Sequence, residues 1–197
     1  MLTRRNFINA ATTAAVIEGP YEVAFDPAWG GPERSVTFGK LADWKDHPDP
    51  GIKYYSGEAV YRKTFDRPTA MKEHDCVFLD LGVVHKLARV KLNGEDLGIV
   101  WTPPYRVAVT GKLKPGPNRL EVTVVNTWVN RLIGDQQPGD KDTRVLTWDD
   151  GMLGGKPQRA GRYTFTSYPL WKKGDVLAES GLLGPVTIQM AERTTVQ

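Results

Sequence analysis

A single cysteine, Cys76, stands in 197 residues, so the chain can form no internal disulfide and no cysteine-based zinc cluster. Histidine is nearly as scarce. His47, His74 and His85 lie far apart and none has metal-ligand spacing, which argues against a zinc site or a Ser-His-Asp triad. Twenty-six basic against 23 acidic side chains leave +3, with no long Lys/Arg block. Without a cationic stripe to track phosphates, nucleic acid is not an expected partner. No apolar run reaches the roughly 20 residues of a membrane-spanning helix. No Gly-rich loop follows a strand and opens a helix, so nucleotide binding has no support. Sustained helical periodicity is missing as well, and no segment repeats at a fixed period, which excludes a propeller or a solenoid. What remains, 40% hydrophobic and 25% charged residues, is the composition of one soluble globular domain with a real core.

The period that is present is two. In "EAVYRKTF", Ala59, Tyr61, Lys63 and Phe65 alternate with Val60, Arg62 and Thr64. "CVFLDLG" puts Val77, Leu79 and Leu81 on one face and reads Cys76 as a buried core thiol. "LARVKLN" sets Ala88, Val90 and Leu92 opposite Arg89 and Lys91. "YRVAVTG", "NRLEVTVVN" and "GPVTIQM" continue the pattern, with Val107 and Val109, then Leu120, Val122 and Val124, then Val186 and Ile188 facing inward. Turn signals separate them, among them Asn93-Gly94, Pro103-Pro104 and Pro115-Gly116. Short strands punctuated by Gly and Pro predict an all-β sandwich or jelly roll, one domain over residues 20–197.

Residues 1–17, "MLTRRNFINAATTAAVI", differ from the rest: Arg4 and Arg5 precede an uncharged stretch rich in Ala and Thr. That is the order of an export signal, and "TRRNFI" looks like a twin-arginine motif. The expected location is periplasmic or extracellular.

The chemistry-bearing residues concentrate in "VVNTWVNRLIGDQQ", residues 124–137. Trp128 and Leu132 are spaced i, i+4, and Asn126 is placed to cap a helical turn, so Trp128, Leu132 and Ile133 are expected to anchor the loop inside. Asn130, Arg131 and Asp135 then point elsewhere. Arg131 and Asp135 are also i, i+4, and two explanations stay open: they pair with each other, or they serve a polar ligand. A sugar offers C–H faces to aromatic rings and hydroxyls to amides, carboxylates and guanidinium groups. The six tryptophans lie beside turns or in loops, either as such stacking faces or as plugs at the ends of the core. Glycoside hydrolysis needs two carboxyl groups about 5 to 9.5 Å apart. Asp135, Asp140, Asp142, Asp149 and Asp150 supply candidates, though Asp in polar loops is usually solvated or turn-forming.

"YYSGEAVYRKTF" and "LDLGVVHKLARVKLNGEDLGIVWTPPYRVAVTGKLKPGPNRLEVTVVN" resemble the sugar-binding jelly roll of glycoside hydrolase family 2, a galactose-binding-like fold. The run "NTWVNRLIGD", "GRYTFTSYPLW", "SGLLGPVTI" is closer still to the C-terminal β-sandwich of the rhamnosidase-like glycoside hydrolases of family 106. The resemblance covers roughly residues 20–190. It implies an accessory carbohydrate-binding module, non-catalytic by itself, whose catalytic carboxylates belong to a separate barrel domain of about 250 residues. A structural domain packed on that barrel and a small glycosidase using loop carboxylates are the alternatives. The expected glycan contacts are Asn126, Trp128, Asn130, Arg131 and Asp135, joined by Trp101 and Tyr105 of "VWTPPYR". No cofactor is expected beyond a structural calcium of the kind galactose-binding-like modules hold, for which "DWKDHPDP" or "GDKD" would offer oxygens.

Overall fold

The computed structural model describes residues 5–8, 11–69, 71, 76–137, 170–191 and 193–196. Its strands are β1 (Arg5–Ile8), β2 (Thr12–Val16), β3 (Tyr21–Phe25), β4 (Val36–Phe38) and β5 (Glu58–Asp66). There follow β6 (Cys76–Asp80), β7 (Val83–His85), β8 (Leu87–Leu92), β9 (Glu95–Val100), β10 (Arg106–Ala108) and β11 (Pro117–Val125). After these come β12 (Gly181–Gly184), β13 (Thr187–Ala191) and β14 (Arg193–Val196). Among the described residues two short α-helices interrupt them, α1 (Pro50–Lys53) and α2 (Val129–Gly134). A six-stranded sheet in the order β4-β3-β5-β11-β8-β9 and a four-stranded sheet in the order β10-β6-β13-β2 make the two layers. All pairings within them are antiparallel, and the all-β jelly-roll sandwich expected from the alternation is the fold.

The alternation sets the core. Leu92, Val90 and Ala88 of β8 pair with Leu120, Val122 and Val124 of β11, and all six are at most 2% exposed. Across the sandwich, Val77 and Leu79 of β6 and Ile188 of β13 close the same cluster, and Cys76 is buried beside them. Burial on both inner faces, at about 25 cal/mol per Å² of apolar surface, is what holds two sheets together. The hairpin from β8 to β9 turns through Asn93 (φ 55°) and Gly94 (φ 87°), the two left-handed residues that a two-residue type I′ turn requires. Asn93 and the fully buried Asn118 brace it: Asn93 Nδ2 donates to Asn118 Oδ1 at 2.9 Å, and Asn93 Oδ1 accepts from the Arg119 amide at 3.0 Å.

The sandwich also takes in residues N-terminal to its expected start at 20. Strand β2 pairs with β13, and the buried Ile17 donates its amide to the Val186 carbonyl at 2.8 Å. Arg5–Ile8 pairs with β14, while Arg4 lies outside the described residues. Among the described residues no helix is long and apolar enough to cross a membrane.

One end of the core is aromatic. Phe25, Trp44 and Tyr55 meet edge to face, with centroids 5.3, 5.0 and 5.8 Å apart. Trp44 is completely buried, a core plug, and its Nε1 donates to the Tyr61 hydroxyl at 2.5 Å. The Tyr61 oxygen also accepts the Leu182 amide at 3.2 Å, which ties β5 to β12. Burial pushes the phenols of Tyr55 and Tyr61 up to about 12 and raises Tyr21 by the same cause. The folded state therefore holds more protons than the unfolded state above pH 10. The stabilisation from neutral phenols is complete below that value and is lost as the pH rises toward 12. Alkaline titration should show phenolate absorbance from these three of the seven tyrosines appearing together with loss of the circular dichroism signal. Full ionisation before unfolding would contradict it.

Candidate functional site

The end of the six-stranded sheet where β11 stops is also where β3 and β9 stop and where β5 and β8 start, as the registers Val125↔Glu58, Val125↔Leu87, Phe25↔Ala59 and Ala88↔Val100 require. The loops carrying Trp29, Asn126, Trp128 and Trp101 therefore share one end of the sandwich. Trp29 is set there by local chemistry. In "DPAWG", the Asp26 side chain accepts the Ala28 amide at 2.9 Å, Pro27 opens a short 3-10 turn, and Gly30 at φ 82° closes it.

Trp128 immediately precedes α2, and the helix inverts the expectation made for it. The pairs Trp128/Leu132 and Arg131/Asp135 do fall on separate faces, but the faces are exchanged. Trp128 is 47% exposed and Leu132 half-buried, whereas Asn130, Arg131 and Asp135 are buried. Of the three apolar anchors expected, only Ile133 is in the interior, at 1% exposed. The physical reason is what α2 packs against. Its inner face meets the backbone of residues 54–57 and 178–180, whose amides and carbonyls need partners once removed from water. Gly134 allows the approach, since a Cβ there would come within 2.6 Å of the Tyr54 Cβ.

The side chains expected to hold a ligand supply those partners. Asn130 Nδ2 donates to the Ala178 carbonyl at 2.8 Å and to Ser180 Oγ at 3.1 Å, and Asn130 Oδ1 accepts the Ala178 amide at 2.7 Å. Asn126 does not cap α2, where no side-chain cap forms. Its Oδ1 accepts the Gly57 amide at 3.0 Å, and its Nδ2 donates to the Tyr55 carbonyl at 2.8 Å and to Ser180 Oγ at 3.1 Å. Ser56 Oγ donates to the Thr127 carbonyl at 2.8 Å and accepts the Arg131 amide at 3.2 Å. Arg131 Nε donates to Asp135 Oδ1 at 2.6 Å, and a terminal guanidinium nitrogen reaches the same oxygen. Of the two explanations left open by the spacing, mutual pairing is the one the geometry takes.

Above this buried layer lies an open cleft of about 450 Å³. Trp29 and Trp128 meet edge-on in it, with centroids 5.9 Å apart and planes at 89°. Its floor is the outer face of the sheet at Ala24, Val60 and Val125, and Asp26, Glu58 and Asn126 add polar atoms. Sequence reasoning missed Trp29 and Glu58 as members. The turn signals of "DPAWG" were legible, but the adjacency of β3, β5 and β11 was not. Trp101 is 71% exposed at the same end but just after β9, two strands beyond β11 and roughly 10 Å away. Tyr105 packs against the core, and its carbonyl accepts the Leu81 amide at 2.8 Å. Neither lines the cleft.

Of the carboxylates proposed for catalysis, one lies in the described residues. Asp135 is in the buried pair, and Asp140, Asp142, Asp149 and Asp150 lie outside the described residues. Two of the carboxylates of "DWKDHPDP", the segment expected to offer oxygens to calcium, hold local groups. Asp43 accepts the Lys45 and Ser180 amides at 3.0 Å and pairs with Lys45 Nζ at 2.6 Å, and Asp49 caps α1 through the Gly51 amide. Among the described residues no group of three or more His, Cys, Asp or Glu could hold a metal ion, and "GDKD" lies outside them.

The antiparallel two-sheet jelly-roll sandwich is the fold class of a galactose-binding-like domain. This chain belongs to the family described as glycosyl hydrolase 2 galactose-binding domain-like, which it matches over residues 35–181. A protein of Formosa agariphila named "Putative beta-glucuronidase" is 42% identical over 160 residues, a match covering 79% of this chain and 14% of that protein. A rhamnosidase from Novosphingobium sp. PP1Y superposes with a TM-score of 0.76 at 35% identity, over 96% of this chain and 16% of that one. A beta-D-glucuronidase from Dictyoglomus thermophilum shares the fold at 20% identity, with a TM-score of 0.55 over 96% of this chain and 28% of that one. The chain thus spans a small fraction of each of these relatives.

Removing one partner of the buried pair tests the structural role of α2. Arg131→Ala removes a buried guanidinium that donates to the Asp135 carboxylate and should cost about 3 to 5 kcal/mol in urea denaturation. A loss below about 1 kcal/mol would mean that the pair behaves as a surface ion pair.

Proposed function

We propose that this domain is a non-catalytic carbohydrate-binding module of a glycoside hydrolase, and that a sugar ring stacks in the cleft lined by Trp29 and Trp128. The observation that carries the reading is an aromatic side chain, Trp128, held half-exposed over a floor of Ala24, Val60 and Val125 with Asp26, Glu58 and Asn126 at its edges. Apolar stacking with a few convergent polar groups is what a sugar needs. Asn130, Arg131 and Asp135 act beneath it as supports of the loop, and hydrolysis falls to a separate catalytic domain, rhamnosidase-like or glucuronidase-like as the names of the relatives suggest. Trp101 and Ile99, 71% and 57% exposed, favour a second use of the same end as a surface packed on that catalytic domain.

Trp128→Ala should weaken binding of the purified chain to its best ligand on a glycan array by on the order of tenfold, equivalent to about 1.4 kcal/mol. The melting temperature should stay close to the original, since the side chain lies largely outside the core. Unchanged binding in Trp128→Ala would overturn the assignment of the cleft.

Export through the Arg4-Arg5 motif is part of the same proposal. Because Thr12–Val16 pairs with β13, cleavage after residue 16 would strip an edge strand from the folded domain. The mature N-terminus is expected at or before Thr12. Replacing Arg4 and Arg5 by Lys should keep the protein in the cytoplasm, and an exported double variant would rule the motif out.

A further inference from the structure

The cleft is one part of a longer surface. Residues two apart along a strand share a face, so Ala24 and Val60 of the cleft are followed on the same face of β3 and β5 by Glu22 and Arg62, roughly 7 Å further along. There the face opens into a groove of about 1060 Å³. That volume exceeds the usual range for a small-molecule pocket and suits an extended chain. Five cations line the groove, Arg62, Lys63, Lys91, Lys114 and Arg119, against two carboxylates, Glu22 and Glu121.

The carboxylates do not neutralise the cations evenly. Glu121 takes both Arg62, at 3.2 Å, and Lys91, at 3.5 Å. Lys63 Nζ donates to the Pro20 carbonyl at 3.2 Å. Arg119 and Lys114 are exposed and, among the described residues, form no ion pair. The arginine fork and the lysine ammonium are therefore presented to solvent in a groove separate from the aromatic cleft, toward the opposite end of the same strands. Guanidinium groups recognise planar carboxylates and sulfate or phosphate oxygens through charge-assisted hydrogen bonds.

We propose that this groove binds the acidic substituents, uronate carboxylates or sulfate esters, of an extended polysaccharide, another ring of which lies on Trp128, roughly 20 Å from Arg119 along β11. The inference rests on the carbohydrate-binding reading of the cleft and names the class of glycan it takes. Arg119 and Lys114 are the residues that distinguish an acidic chain from a neutral one.

Isothermal titration calorimetry of the full chain tests it with three probes: an oligogalacturonate, its neutral methyl ester, and a sulfated galactan oligosaccharide. At least one acidic probe should bind about tenfold or more tightly than the methyl ester, and the advantage should shrink as salt is raised past the point where the Debye length is about 10 Å. Which acidic probe wins identifies the carboxylate or the sulfate as the recognised group. The double substitution Arg119→Ala, Lys114→Ala should erase the advantage while leaving binding of the methyl ester unchanged. Lys114→Ala alone, outside any strand, should reduce it in part with no cost to folding. Equal affinity for acidic and neutral probes, or an advantage that survives the double substitution, overturns the groove while the cleft stands. Failure of the wild-type chain to bind any of the three overturns both.

Discussion

Everything at the loop-bearing end of this sandwich depends on one half-buried amide, that of Asn126. Three chain segments distant in sequence converge there: residues 54–57 before β5, residues 126–135 after β11, and residues 178–180 before β12. Each arrives with backbone amides and carbonyls that no strand pairs. Asn126 spends its side chain on the Gly57 amide, the Tyr55 carbonyl and Ser180 Oγ, and Asn130 completes Ser180 and Ala178 from the other side. A buried polar group left without a partner costs on the order of 1 to 3 kcal/mol, so a network that satisfies so many groups decides whether the three segments meet at all. Once they meet, Trp128 has only one direction left, outward.

The network reaches the second tryptophan through Tyr55. Its carbonyl accepts from Asn126, while its hydroxyl accepts the Asp26 amide at 3.1 Å and donates to the Glu58 carbonyl at 2.8 Å. Asp26 in turn caps the turn that carries Trp29. The position of each cleft ring is thus fixed by hydrogen bonds on its buried side, and its outer side is left to whatever the cleft receives. A binding surface built this way is held in place before any ligand arrives, which lowers the ordering cost of binding.

Strand periodicity made most of the sandwich readable from sequence. Ala88, Val90, Leu92, Leu120, Val122 and Val124 could be placed inward because alternation is a local property and their register follows from it. The turn at Asn93-Gly94 was readable for the same reason, since only those residues accept its backbone angles cheaply. Strand β2 was not: "TTAAV" carries a weak alternation and follows a basic segment, so its pairing with β13 is a long-range fact. The loop after β11 shows the limit most clearly. Spacing gave its two faces, Trp128 with Leu132 and Arg131 with Asp135, but not which one turns inward. Hydrophobicity pointed to the tryptophan. The outcome was set by groups on segments 48 to 75 residues away in sequence, a demand that no local window contains.

The sheet behind the cleft follows a related logic. On its outer face Glu22, Arg62, Glu121 and Lys91 stand in register across β3, β5, β11 and β8, so that charges of opposite sign sit side by side on adjacent strands. Cross-strand pairs of this kind contribute little each, yet they keep a broad sheet face wet and unattractive to other apolar surfaces. At the strand ends that cover is withdrawn, and the apolar floor of Ala24, Val60 and Val125 is exposed under Trp29 and Trp128. The change from charged ladder to aromatic cleft occurs along the same strands, within a few residues. A domain that spans only 14% to 28% of these relatives needs a self-contained core, a face that stays in solvent, and one end shaped for contact. The alternation of β3, β5 and β11 supplies the first two, and the Asn126 network supplies the third.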